Sequence, residues 1–403
     1  MVVIADNGGI PYDPIPLVAG QTLVEFQGGG FPHRWLNSVQ PTAGQTFQSI
    51  GGTAVIDGCY QARFAFASAA NDVTIRDLEV RNFVGKYQGA AVQAFDFNAG
   101  DNLPLNQQGQ DWLLEDLWVH SNGGIGVGTS TRTVVRRNRI SHNGQMGMHA
   151  KGGADSIIED SEVHHNNVDR HLSVEEAGGT KFKYTSGYRV RRNYFHDNWG
   201  YGIWFDINNT NATIARNLVE DHERAGIFWE INFGPAFILN NTVRRAGIAY
   251  NGWAFGAGII SSTSGGPVNV RFNHVEQSAN GITMINQDRP VPGAGSAPFL
   301  FGISVTDNVV IDSGHSGFTN DFFQGTNIFV PQPAIFEWDR NTYQDICVGT
   351  ARCGFEFPPI DEPLGQNVGN GNPFRSGDFN TVGFAGWQAL GFDQNGAASG
   401  CTP

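Results

Sequence analysis

The sequence predicts an all-β solenoid, a right-handed parallel β-helix. Three observations carry this reading. A motif of the form apolar-x-x-Asn/Asp-x-apolar recurs as TIRDLEV, LLEDLWV, VVRRNRI, IIEDSEV, YRVRRNYF, TIARNLV, FILNNTV, NVRFNHV and SVTDNVV, with its Asn or Asp at 77, 116, 138, 160, 193, 217, 241, 273 and 308. Uninterrupted repeats are 22–24 residues apart, and self-similarity at such a period marks a solenoid. Each repeat holds two or three short runs of alternating polarity rich in β-branched residues, divided by Asn-Gly, Asp-Asn or Gly-Gly turns. That is strand periodicity rather than helix periodicity, and the Leu-rich consensus of a leucine-rich repeat is missing.

Taken in order, residues 1–70, with LVAGQTLVEF and PTAGQTFQSI, are expected to form an N-terminal cap and the first coils. Residues 71–315 are the regular rungs, so that the β-helix runs from roughly residue 20 to 315. Residues 316–403 lose the period, carry three of the four cysteines and are expected to form the last coils and C-terminal cap. One continuous domain is expected. The recurring Asn residues fit a turn stack whose side-chain amides hydrogen-bond along the ladder. Longer gaps mark insertions, among them NNVDRHLSVEEAGG, which is placed to wall a cleft.

Composition narrows the function. A net charge of −13 argues against nucleic acid, whose phosphates require a basic face. No long apolar run is present, so no transmembrane helix is expected. The cysteines, Cys59, Cys347, Cys353 and Cys401, form no CxxC pair, so no metal centre and no cofactor are expected; Cys347–Cys353 is a plausible local disulfide. The Gly-, Asn- and Thr-rich, Lys-poor composition suggests a secreted protein, with the initial Met added to a mature chain.

The candidate site emerges when repeats are aligned on the Gly that opens one strand: Gly126, Gly147, Gly179, Gly202, Gly226, Gly258 and Gly281. The next column, Val127, Met148, Thr180, Ile203, Ile227, Ile259 and Ile282, faces the core. Two columns of the opposite parity are expected to face solvent. One reads Gly128, His149, Lys181, Trp204, Phe228, Ile260, Thr283; the other reads Ser130, Lys151, Lys183, Asp206, Glu230, Ser262, Ile285. Asp206 and Glu230 thus stand on adjacent rungs. Adjacent like charges are destabilising unless something uses them. Trp204 and Phe228 share their face, as a sugar platform would require. Strand neighbours lie about 4.8 Å apart, close to the roughly 5–5.5 Å between the two carboxyls of a retaining glycosidase. Asp206 neighbours Lys183 in its column, which favours its ionised form, whereas Glu230 neighbours Ser262; environments that differ in this way suit a nucleophile and an acid.

The segments EAGGTKF, GIWFDINN and GIFWEINFGPAFILNNTV, within residues 176–243, resemble three consecutive motifs of the β-helical glycosidases of glycoside hydrolase families 120 and 141, which are β-xylosidase-like. The resemblance implies a retaining hydrolase with Asp206 as nucleophile and Glu230 as acid/base, acting on an oligo- or polysaccharide such as xylan or another plant or microbial glycan. It also implies that Glu176, Lys181 and Trp204 bind substrate. Lys183, Phe228, Asn208, Asn232, His149 and Lys151 join them as substrate-binding candidates from their neighbouring positions. Ile207 and Asn232-Phe233 stand where those families carry Trp and Ser-His. Two other readings compete: a polysaccharide lyase using Lys181 or Lys183 with calcium, and a non-catalytic glycan-binding module.

Overall fold

Alternating side chains force each rung to choose an inside and an outside, and the computed structural model shows how the chain resolves that choice. It describes residues 1–14, 22–249, 255–286, 300–320, 336–345, 355–357 and 380–400. The chain divides into two compact units, Met1–Gly200 and Tyr201–Pro403.

In the first unit, three stacks of short parallel strands are built rung upon rung. The register of the first stack places Ile75, Leu114, Val135, Ile158 and Val190 in one column. The second aligns Val80, Val119, Ile140, Val163 and Phe195. The third aligns Val92, Val127, Met148 and Thr180. All are fully buried. Each such apolar side chain contributes about 1.5–3 kcal/mol on burial, so the interior columns hold the coil together.

The second unit repeats the plan with Ile214, Ile238, Val270, Val305 and Trp338, then Val219, Val243, Val275, Val310 and Tyr343, and then Ile203, Ile227, Ile259 and Ile282. Among the described residues, helix is confined to a short 3-10 turn at Leu105–Gln107 and to Phe384–Ala389. No helix among them is long and apolar enough to cross a membrane.

Strands extend past both limits expected from the sequence. Val2–Ile4 pairs with Leu23–Gln27, and Glu337–Asp339, Thr342–Gln344 and Ala397–Ser399 continue the stacks at the other end. The final rungs are reached through the segment FEWDRNTYQ, whose Asn341 continues the Asn series.

The corners explain the recurring Asn. In the second unit, Asn217 donates its side-chain N–H to Asn241, Asn241 to Asn273, Asn273 to Asn308 and Asn308 to Asn341, at 2.9–3.0 Å. Asn341 donates to Asp393 at 3.0 Å, and there the series stops. In the first unit a different corner stacks Asn122, Asn143, Asn166 and Asn198. Ahead of each stacked residue comes a left-handed one, such as Ser121, His142, Arg216 and Asn240. Asp77, Asp116 and Asp160, grouped with the stacked Asn residues by the sequence motif, are corrected to this preceding position, with φ of 59°, 53° and 51°. The motif merged two adjacent places because Asn and Asp suit both: an inward amide in one, a left-handed backbone in the other.

Candidate functional site

The two carboxylates expected to stand together do so. Strands Ile203–Asp206 and Ile227–Glu230 are parallel, with Trp204 opposite Phe228 and Asp206 opposite Glu230. Glu230 in turn lies opposite Ser262. Immediately after each acid the chain turns through an isoleucine in the left-handed region, Ile207 at φ 61° and Ile231 at φ 51°. A β-branched residue is costly there, by about 1–2 kcal/mol, and Asn or Gly would relieve the cost. Both carboxylates therefore sit at the rim of a sheet whose backbone is held in a strained corner.

The outer face of this sheet is not the open wall that the alternation suggested. Trp204, Phe228, Ile260 and Ile285 join Tyr201, Ala225 and Ala257 in a hydrophobic cluster of their own, with Phe255 packed against it. Trp204 and Phe228 are stacked at 5.7 Å and 11°, and Tyr201 lies 4.7 and 4.9 Å from them. Both rings are 1% exposed, so they pack on protein rather than present an open platform for a sugar. Aromatic and aliphatic groups left outside a coil bury one another for the same reason that those inside do. Asp206 and Glu230 are likewise buried. The Trp204 indole donates a hydrogen bond to Glu230 Oε2 at 3.0 Å and so fixes the orientation of that carboxyl.

Asn232 is spent on structure. Its side-chain oxygen accepts from Asn209 at 2.9 Å and its N–H donates to the Phe205 carbonyl at 2.9 Å, which places it in a corner stack instead of a ligand-facing position. Asn208 is half-buried at φ 58° in the same turn.

The first unit carries the lysines. Register places His149 opposite Lys181. Lys183 donates to Glu176 Oε1 and to Asp101 Oδ2, each at 2.8 Å. Lys181 lies 3.3 Å from the same Glu176 oxygen and also donates to the Glu175 carbonyl. Lys151 donates to the Ala99 carbonyl at 3.1 Å. These three ammoniums were expected at the surface but are buried, because two loops lie over them. One brings Ala99, Asp101 and Leu103, the last donating its N–H to the Lys151 carbonyl. The other is the insertion carrying Glu175 and Glu176. Asp101 was missed in the sequence because it lies 82 residues from Lys183; the 39-residue gap between Asp77 and Asp116 was the available signal of an inserted loop.

Electrostatics separates the three lysines. Burial pulls Lys183 down, but Glu176 and Asp101 outweigh it and hold its pKa above the ordinary value. Lys151 makes no ion pair among the described residues, and burial lowers its pKa to about 8; Asp101 and Glu176 pull it upward, and Lys183 and Lys86 push it down. His149 is pushed well below its usual range by burial and by Lys151, Lys183 and Lys86, and is neutral. Its Nε2 has no hydrogen-bond partner among the described residues.

A stability prediction follows for Lys151. The folded chain binds fewer protons at this site than the unfolded chain between about pH 8 and 10.5, so the buried ammonium destabilises most below pH 8 and the cost fades as pH rises through that window. Lys151→Met is expected to raise Tm at pH 7 and to match the wild type near pH 10.5. An equal shift at both pH values would contradict it.

Comparison with known proteins bears on the fold. A family model described as a right handed beta helix region matches residues 105–296. Among solved structures, a mannuronic acid-specific polysaccharide family 6 lyase from human gut microbiota is 10% identical, covers 85% of this chain and 79% of its own, and superposes with a TM-score of 0.50. The chain is a right-handed parallel β-helix. The A-module of a mannuronan C-5 epimerase from Azotobacter vinelandii is 16% identical over 81% of this β-helix and 86% of that chain, with a TM-score of 0.49. No curated protein sequence matches. Within the β-helix, the site residues read from the sequence form two groups. Asp206, Glu230, Trp204 and Phe228 lie together in the second unit, and Glu176, Lys181, Lys183, Lys151 and His149 lie in the first. The Cys347–Cys353 pair falls outside the described residues.

Proposed function

We propose that this β-helix is a carbohydrate-active enzyme, a retaining glycoside hydrolase in which Asp206 is the nucleophile and Glu230 the acid/base. The observation that carries the reading is the direct register of Asp206 with Glu230 on adjacent parallel strands. A retaining enzyme needs its carboxyls about 5–5.5 Å apart, whereas an inverting one leaves about 6.5–9.5 Å for water; parallel neighbours at about 4.8 Å suit the first. The motif resemblance of residues 176–243 supports the same assignment. Asp206 attacks the anomeric carbon while Glu230 protonates the departing oxygen, and Glu230 then takes a proton from the water that releases the sugar. The test is a panel of aryl glycosides and polysaccharides, with the anomeric proton of the first product followed by NMR. Retained configuration is expected; first appearance of the opposite anomer overturns the mechanism.

Trp204 acts here as a positioning residue. Trp204→Phe keeps an aromatic ring in the cluster but removes the donor to Glu230. A hydrogen bond to a charged group is worth about 1.5–3 kcal/mol, so kcat is expected to fall at least about tenfold while KM changes little. A rise in KM at constant kcat would point to simple substrate contact.

One observation favours a second reading. Lys151, buried and with its pKa lowered to about 8, has the character of a general base, so a lyase would use Lys151 in preference to the ion-paired Lys181 and Lys183. A lyase forms an unsaturated product that absorbs ultraviolet light, and a calcium-dependent one is silenced by EDTA. Loss of all activity in Lys151→Ala with full activity in Asp206→Asn would establish it.

A further inference from the structure

Four rungs of the first unit end alike: VHSN at 119–122, ISHN at 140–143, VHHN at 163–166 and FHDN at 195–198. The final Asn of each enters the ladder already described. The two positions before it put a cluster of histidines on the outside of the second stack of strands of the first unit, whereas His149 and Lys181 of that unit stand on the third stack. His164 lies opposite His196 in register, with the rings parallel at 4.7 Å and 2°. His165 follows in the left-handed corner at φ 51°, and His142 and Asp197 occupy the same corner on the neighbouring rungs at φ 53° and 51°. The His142 and His165 rings stack at 5.1 Å.

We propose that His164, His165 and His196 bind a divalent transition-metal ion, with Cu(II) or Ni(II) favoured over Zn(II). One potential ligand atom from each residue lies within 4.8 Å of the others. His164 Nδ1 and His165 Nδ1 are 2.9 Å apart. This contact is an N–H···N hydrogen bond in the metal-free cluster, and an ion bound at about 2.0–2.1 Å from each nitrogen takes its place. Imidazole ligands suit copper and nickel, and the intrinsic affinity of such a site peaks at Cu(II). Tilting the half-buried His196 ring toward His164 closes the third contact. The supporting shell is in place: His196 Nδ1 lies 2.7 Å from Asp197 Oδ2, and its Nε2 lies 3.1 Å from Glu162 Oε1. Whichever nitrogen takes the metal, the other keeps a carboxylate, as metal-bound histidines usually do. Arg139 opposes occupancy. Its Nε donates to His164 Nε2 at 3.1 Å, which holds the proton of the metal-free ring on Nδ1, the atom facing His165. Metal binding moves that proton to Nε2 and turns Arg139 away, toward Glu162, 3.4 Å distant.

The experiment is calorimetric titration of untagged protein with CuCl₂, NiCl₂ and ZnCl₂, together with electron paramagnetic resonance of the copper form. One ion per chain, nitrogen hyperfine coupling on copper, and copper and nickel ahead of zinc are expected. His165→Asn retains a residue that tolerates the left-handed corner and is expected to weaken binding at least tenfold, as is His196→Gln. Arg139→Ala is expected to tighten it. His274→Ala, a histidine in the other unit, is the control and leaves binding unchanged. Metal-free thermal melts show whether each variant is folded. Binding that is undetectable in the wild type, that persists unweakened in folded His165→Asn, or that lacks nitrogen coupling overturns the site.

Discussion

Asp206→Asn is expected to reduce turnover by about 10⁴-fold or more while leaving the fold intact. The substitution is isosteric, so the buried side chain keeps its shape, and only the nucleophilic oxygen is lost. Removal of a residue that acts at the reacting atoms costs this much in other covalent mechanisms. Glu230→Gln should fall by about 10²–10⁴-fold, the usual share of general acid–base catalysis. Asp206→Asn and a third variant, Glu230→Ala, which opens space for a small nucleophile, should also differ in kind. With an activated aryl glycoside, whose leaving group needs no proton, Glu230→Ala can still form the glycosyl-enzyme, and azide can then take the place of the activated water. Asp206→Asn cannot form that intermediate, so azide does not restore it to retaining turnover. Steady-state rates with and without azide, beside circular dichroism spectra, decide the matter. Wild-type turnover in Asp206→Asn would remove the nucleophile from the proposal.

Asn273→Ala should cause one of the largest losses of stability available from a single substitution in the second unit. Asn273 Oδ1 accepts from both the backbone and the side chain of Asn241, at 2.9 and 3.0 Å. Its Nδ2 donates to the Ile238 carbonyl at 2.8 Å and to Asn308 Oδ1 at 3.0 Å. Truncation leaves several of these groups buried without partners, at about 1–3 kcal/mol each. A total near 4 kcal/mol is expected, a large part of the roughly 5–15 kcal/mol that stabilises a typical domain. Asn273→Asp should also destabilise, because a carboxylate accepts from Asn241 but cannot donate onward. Chemical denaturation of the three proteins gives the comparison; a loss below about 1 kcal/mol for Asn273→Ala would mean that water or neighbouring side chains replace the amide.

The sequence revealed the columns better than it revealed their surroundings. Strand alternation and the opening Gly of each rung set the register, which is why Asp206 and Glu230 could be placed opposite one another. Whether an outward column meets water depends on what lies over it, and that is decided by residues far along the chain. Asp101 reaches Lys183 across 82 positions, and Phe255 packs edge-on against Phe228 from outside the strands of the site. Neither contact has a local signature. Asn232 misled for another reason: an Asn beside a carboxylate looks the same in sequence whether it serves a ligand or a corner. The final rung at Asn341 was legible but passed over, since the aromatic residues around it broke the aliphatic pattern.

The Asn217–Asn341 seam has a direction. Every amide in it donates toward the C-terminal end, so the carbonyl dipoles add, and each bond polarises the next. A one-way chain of this kind can be lengthened or shortened by whole rungs anywhere along its run, because each link presents the same acceptor behind and the same donor ahead. Its last member must differ. Asp393 takes two hydrogen bonds from Asn341 and others from Tyr343 and Trp387, all as acceptor, and burial raises its pKa. Growth by internal duplication is therefore open to this chain at every rung but the last, where a single carboxylate sets the stopping point.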